Sequence, residues 1–219
     1  MLRRIFAALL AAAALLSLSA CGGKSVREKD AALLVQGNLD QIYRGQISPE
    51  YGELTGVTPE AAAEDYDAAM AAEAAYFCDY FCVENPTPAT MERLTSLLQR
   101  ACAQSTYTLG QVTREKDGSC SVPVEVHPGS ALVRTAKALP DSLADFYAKY
   151  PPDADGDAAH YENDWAQAVL TVLSAQLDAD APVGEAVSAT IHVVQSEDGT
   201  WTVSGDDLQI VDSAMLLYP

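Results

Sequence analysis

Cys120, Val122, Val124 and Val126 alternate with Ser119, Ser121, Pro123, Glu125 and His127. Successive side chains of a strand point to opposite faces, so this stretch has one apolar and one polar face. Such a strand needs apolar cover on one side, as in an antiparallel sheet with helices on a single face. The pattern returns downstream. Val187, Ala189, Ile191 and Val193 point one way, Asp198-Gly199 turns the chain, and Trp201 and Val203 point inward on the return. Asp117-Gly118 gives the matching turn before Cys120, since a glycine accepts the backbone such hairpins demand. Glu115-Lys116-Asp117-Gly118-Ser119-Cys120-Ser121-Val122 echoes Ser196-Glu197-Asp198-Gly199-Thr200-Trp201-Thr202-Val203. Any hairpin of this type looks alike, so the echo supports architecture rather than ancestry. The expected fold class is α+β: an antiparallel four-stranded sheet from two hairpins, with helices packed on one face. Ser105 to Thr113 supplies the first strand. Tyr107 and Leu109 keep period two and Val112 does not, which marks Gly110 as a bulge. Pro123 has no N–H to donate, so its strand is expected at an edge or with that side outward.

Helices are expected over 31–43, from Thr58-Pro59-Glu60 to about Val83, after Asn85-Pro86-Thr87-Pro88, from about Ser130 to Tyr150 with an interruption at Pro140, over 158–177, and last through Leu216 from a cap at Asp206 or Asp207. Threonine as cap with proline in the first turn is a strong start signal. Residues 44–57, with Gly45, Gly52, Gly56 and Pro49, read as a loop. Tyr66, Met70, Phe77 and Phe81 share a helix face.

The first 21 residues address the chain. Arg3 and Arg4 precede an apolar run from Ile5 to Leu16, then Leu18-Ser19-Ala20-Cys21. A basic start, a short apolar segment and small residues make a secretory signal peptide. The run falls short of the roughly 20 residues that span a bilayer. Leu18-Ser19-Ala20-Cys21 resembles the lipobox of bacterial lipoproteins. That resemblance implies cleavage before Cys21 and attachment of palmitate-type acyl chains to that cysteine. The expected organisation is residues 1–20 as signal peptide, 21–30 as flexible tether and 31–219 as a single α+β domain. The protein would sit at the cell membrane, lipid-anchored through acylated Cys21, on the extracytoplasmic face. The formal charge is −18, and losing Arg3 and Arg4 with no acid takes it to −20. That field repels nucleic acid and anionic lipid, so nucleic acid is excluded as a partner and attachment falls to the acyl chains.

The order helices, hairpin, helices, hairpin, short C-terminal helix, with Asp207-Leu208-Gln209-Ile210-Val211-Asp212-Ser213-Ala214 at its end, resembles lipoproteins of unassigned role from gut-dwelling clostridia and their relatives. The layout is also similar to the cystatin-like and nuclear-transport-factor-two-like α+β folds. Those place binding or catalysis in an apolar cone between sheet and helices, but fold alone carries no function.

Candidate sites are few. Cys78, Cys82, Cys102 and Cys120 sit on apolar stripes. They read as free buried thiols, as one or two disulfides permitted by export, or as a metal site lacking the usual spacing. Asp153, Asp155, Asp157 and Asp164 partly resemble a calcium loop, with Gly156 too early and Asp164 shorter than the usual glutamate. Helix capping explains the same acids. Tyr76-Phe77-Cys78-Asp79-Tyr80-Phe81 is a dense aromatic cluster, read as core or as a pocket with Asp79 as polar contact. His127, His160 and His192 lack metal-helix spacing, though any could act as a base beside an acid. No nucleophile elbow, phosphate-binding glycine loop, zinc-protease helix or dinucleotide fingerprint occurs. No catalytic residue and no cofactor is therefore assigned. The leading expectation is a non-catalytic binding or accessory module with an unidentified protein or small-molecule partner. The alternative is a small pocket enzyme with an Asp/His acid–base pair in a cone.

Overall fold

The computed structural model describes residues 25–150, 158–179, 184–197 and 199–219. Helices α1 (Glu28–Arg44), α2 (Pro49–Thr55), α3 (Pro59–Tyr80) and α4 (Pro88–Gln104) come first. Strands β1 (Thr106–Leu109), β2 (Thr113–Arg114) and β3 (Cys120–His127) follow. Then come α5 (Ala131–Lys149), α6 (Ala158–Asp178), β4 (Val187–Gln195), β5 (Trp201–Val203) and α7 (Gly205–Met215). The fold is α+β.

The sheet runs β1-β3-β4-β5, with β2 also on β3, and each pairing is antiparallel. Both hairpins turn alike. Glu115 N–H bonds Ser119 O and Gly118 N–H bonds Glu115 O, while Ser196 N–H bonds Thr200 O and Gly199 N–H bonds Ser196 O. Gly118 and Gly199 carry φ of 92° and 86°, the left-handed backbone that closes three-residue hairpin loops. The long strands β3 and β4 meet at the centre, Val122 opposite Ile191 and Val124 opposite Ala189. Val122, Val124, Val126, Ile191, Val193, Trp201 and Val203 are buried. Helices α1 and α7 lie on that face, with Leu34, Leu39, Leu208 and Val211 in one core cluster with the strands.

Several expectations are corrected. Pro123 lies in a central strand, not at an edge. Between Leu109↔Val124 and Thr113↔Ser121, residues 110–112 face only 122 and 123, which is a bulge at Gly110. Gly110 N–H donates to Pro123 O at 2.8 Å. A strand residue's N–H and C=O point to the same side, so the missing donor of Pro123 faces the bulge, where the ladder is already broken. Within 44–57 stands α2, started by Ser48, whose hydroxyl accepts from Tyr51 N–H, and by Pro49. Helix α5 continues through Pro140, which is exposed, so the lost backbone bond faces the solvent side. Helix α1 starts at Glu28, shortening the expected tether. Ser204, not Asp206 or Asp207, caps α7.

Helix α3 ends at Tyr80. Val83 N–H reaches Cys78 O at 2.8 Å and Cys82 N–H reaches Asp79 O at 3.5 Å. These two bonds form a Schellman cap with Cys82 at φ 51°, the position glycine usually takes, and Val83 buried behind it.

A polar seam crosses the core. The Arg44 guanidinium donates to Cys102 O at 2.8 Å and Ser105 O at 2.5 Å. Ser105 hydroxyl donates to Met215 O at 2.6 Å and accepts from Gly129 N–H. Tyr43 hydroxyl donates to Asp212 at 3.1 Å, and Tyr218 hydroxyl donates to Glu73. These bonds satisfy buried polar groups and fasten the C-terminus to α1, α3 and α4.

Candidate ligand cleft

Helices α5 and α6 run antiparallel. Arg134 donates to Gln176 O at one end of the pair, and Lys149 donates to Asp164 at the other. At that second end the apolar stripes carry aromatic residues. Phe146 is buried, with the rings of Tyr161 and Trp165 at 5.0 and 5.3 Å and inclined by 69° and 67°. Tyr147 stands 6.1 Å away at 70°, and Tyr150 5.1 Å away at 37°. Steeply inclined aromatic pairs are favourable and do not close flat on one another. The cap after α3 forms the third wall. Trp165 Nε1–H donates to Phe81 O at 3.0 Å, and Asn85 Nδ2 donates to Glu162 at 3.0 Å. The result is a surface cleft of about 330 Å³ lined by Cys82, Glu84, Leu143, Phe146, Tyr147, Tyr161, Glu162 and Trp165. Tyr147 and Tyr161 are 50% and 41% exposed.

A second cleft, about 560 Å³, lies across the same cap, with Asp79, Cys78, Cys82 and Met91 among its walls. A third, about 400 Å³, opens on the polar sheet face around Gly110, Pro123 and Thr190.

Cys21, Asp153, Asp155 and Asp157 lie outside the described residues, as does Asp198 of the second hairpin turn. Asp164 accepts from Lys149 and from Tyr150 hydroxyl, the latter at 2.5 Å, and these bonds hold its carboxyl below the usual range. Among the described residues no group of three or more His, Cys, Asp or Glu could hold a metal ion. The four thiols are unbridged. Cys78, Cys102 and Cys120 are buried, and burial pushes the first two up to about 11 and about 12. Cys82 departs from the expectation: the left-handed cap turns it out to solvent. In the Tyr76–Phe81 cluster, Phe77 and Phe81 are core, while Tyr80 is exposed and Asp79 faces the second cleft.

His127 Nε2 lies 2.8 Å from Glu125 on the same strand, and His160 is exposed near the start of α6. His192 does meet an acid. Asp207 Oδ2 accepts from His192 N–H at 2.9 Å and stands 2.8 Å from its Nδ1. Ser204 N–H bonds His192 O at 2.8 Å where β5 gives way to α7, so Asp207 takes the backbone donor that a longer β5 would have taken. This contact closes a strand end and accounts for the pair without a reaction.

Glu73 was not signalled by the sequence. It is buried on α3, and burial raises its carboxyl to about 7 against the opposing Tyr218 hydrogen bond, with Asp212 adding to the rise. The cleft aromatics were equally hidden, because they come from two helices and a cap that only tertiary packing unites.

No protein-family model matches the chain, and no curated protein does. The fold is similar to that of a candidate lipoprotein from Bacillus subtilis, ycdA, known from its crystal structure, with 13% identity and a TM-score of 0.55. The match covers 85% of this chain and 56% of that one, so the chain spans little more than half the length of that protein. Among the described residues no helix is long and apolar enough to cross a membrane.

Proposed function

We propose that the chain is a lipid-anchored extracytoplasmic lipoprotein acting as a non-catalytic binding module. Residues 1–20 are its signal peptide, Cys21 its acylated anchor, and the residues between Cys21 and the buried Val26 its tether to a single α+β domain. The fold likeness to a candidate lipoprotein supports that export. The observation that carries the binding role is the solvent-open aromatic cleft between α5, α6 and the α3 cap. A concavity of about 330 Å³ with aromatic walls and a few polar groups has the usual makeup of a small-molecule site.

Mass spectrometry of the membrane fraction from a bacterial host tests the anchor. The expected N-terminus is Cys21 bearing a thioether-linked diglyceride. An intact Met1 on cytosolic protein would overturn the address. Thermal shifts against a set of small amphiphiles test the cleft, with Tyr161→Ala expected to remove any shift that the unaltered protein shows.

A further inference from the structure

The cleft combines two features whose chemistry selects a ligand. Its walls include Phe146, Tyr147, Tyr161 and Trp165, and Glu84 and Glu162 stand among them. No lysine or arginine is among its described lining residues. Lys149, one turn from Phe146 on α5, is paired to Asp164 and lies over the Tyr150 ring, 5.2 Å from its centre, and it is not among the lining residues. We infer that this cleft binds a small organic cation of the quaternary-ammonium class, held by the aromatic walls and the two carboxylates. The inference rests on the reading of the protein as a binding module and names what that module takes.

Aromatic faces are negative and attract a cation that sits against them, and methylated ammonium groups suit such sites. A primary ammonium has three donors to satisfy, and rings offer few acceptors. A quaternary one has none, so it gives up no hydrogen bond on entering. A metal ion fits poorly, because a hard cation needs six to eight oxygen ligands and the cleft provides two carboxylates. Glu162 is already steadied by Asn85, which fixes one negative charge at the rim without cancelling it. The volume of about 330 Å³ is near the lower end of ligand sites, right for a head-sized cation and too small for a folded peptide. The chain's charge of −18 raises the local concentration of any cation. A phosphate joined to the ammonium would meet Glu84 and Glu162, so the geometry favours a cation without an adjoining anion over a phospholipid headgroup.

Cys82 on the cleft wall provides a reporter, since the other three thiols beyond Cys21 are buried. The test uses acylated full-length protein in a maltoside detergent, titrated calorimetrically with choline, with its neutral isostere 3,3-dimethylbutanol and with phosphocholine. Alkylation of Cys82 by iodoacetamide is followed in parallel. Choline is expected to bind, to slow Cys82 alkylation, and to bind better than phosphocholine. The double variant Glu84→Gln/Glu162→Gln should weaken choline about tenfold and leave the isostere unchanged, and circular dichroism checks that it is folded. If the isostere binds as well as choline, the cationic preference is wrong while the cleft remains a binding site. Tighter phosphocholine binding would overturn the exclusion of lipid headgroups. Choline heat without protection of Cys82 would move the site elsewhere and sink the assignment. Heat from none of the three ligands, with Cys82 equally reactive throughout, would remove the cleft as a site and the binding role with it.

Discussion

Gly37 lies in the interior of α1, where glycine ordinarily costs about 1 kcal/mol relative to alanine. Its reason is Tyr51. A Cβ at position 37 would stand 2.0 Å from the Tyr51 ring, and that ring belongs to a fully buried side chain whose hydroxyl donates to Gln41. Gly37→Ala should therefore lose about 1–3 kcal/mol in urea unfolding despite its better helix propensity. A more stable variant would mean that the ring moves aside freely. Glu73 makes a second prediction at this scale. Its folded carboxyl titrates at about 7 against 4.5 unperturbed, chiefly through burial. The native state then holds an extra proton between those values. The protein should lose stability as pH rises through that window and level off above 7, at up to roughly 1.4 kcal/mol per pH unit. Glu73→Gln keeps an acceptor for Tyr218 and never ionises. The difference between the two proteins, measured by denaturant unfolding at pH 4.5, 6 and 8, should grow with pH in the variant's favour. A constant difference would show that Glu73 is not desolvated.

Asp207 joins two elements, and its loss should be felt locally. It accepts the His192 backbone N–H at the point where β5 has ended, while Ser204 caps the same helix through Asp207 N–H. Asp207→Ala should cost about 1–2 kcal/mol and speed hydrogen exchange at the His192 amide, and Asp207→Asn should cost less. Unchanged exchange at His192 would contradict the strand-end role and reopen the pair as a reactive one. Elements also show how far local chemistry can be read. Thr58-Pro59 and Thr87-Pro88 were legible starts because the cap forms within four residues, Thr58 accepting from Ala61 and Thr87 from Thr90. Ser48-Pro49-Glu50 carries the same signature, yet Gly45, Gly52 and Gly56 around it outweighed the signal. The alternating strands fixed the sheet's apolar face and, with the two turns, its antiparallel pairing. The central place of Pro123 was not legible, because the gap that accommodates it belongs to another strand. Phe146 and Trp165 look like ordinary apolar stripes until α5 and α6 meet, so the cleft escaped while the contiguous Tyr76–Phe81 cluster drew notice.

At the scale of the whole molecule, charge and the proposed anchor would act in opposite directions. Acids outnumber bases by 31 to 13. An anionic globule is repelled by an anionic leaflet over about one Debye length, roughly 10 Å at 0.1 M salt. The fold begins no later than Val26, which is buried in the core and whose N–H bonds Gly118 O, so an anchor at Cys21, as proposed, would keep the acidic domain close to that repulsive layer. Attachment would then have to come from hydrocarbon, which salt does not screen. Full-length acylated protein should co-sediment with phosphatidylglycerol vesicles equally at 0.05 and 1 M NaCl. Cys21→Ser protein should stay in the supernatant at both, and most completely at low salt, where repulsion is strongest. Retention of the variant at low salt and release at high salt would mean that a cationic surface, not acyl chains, holds the protein. That result would contradict both the anchor and the acidic field around the cleft.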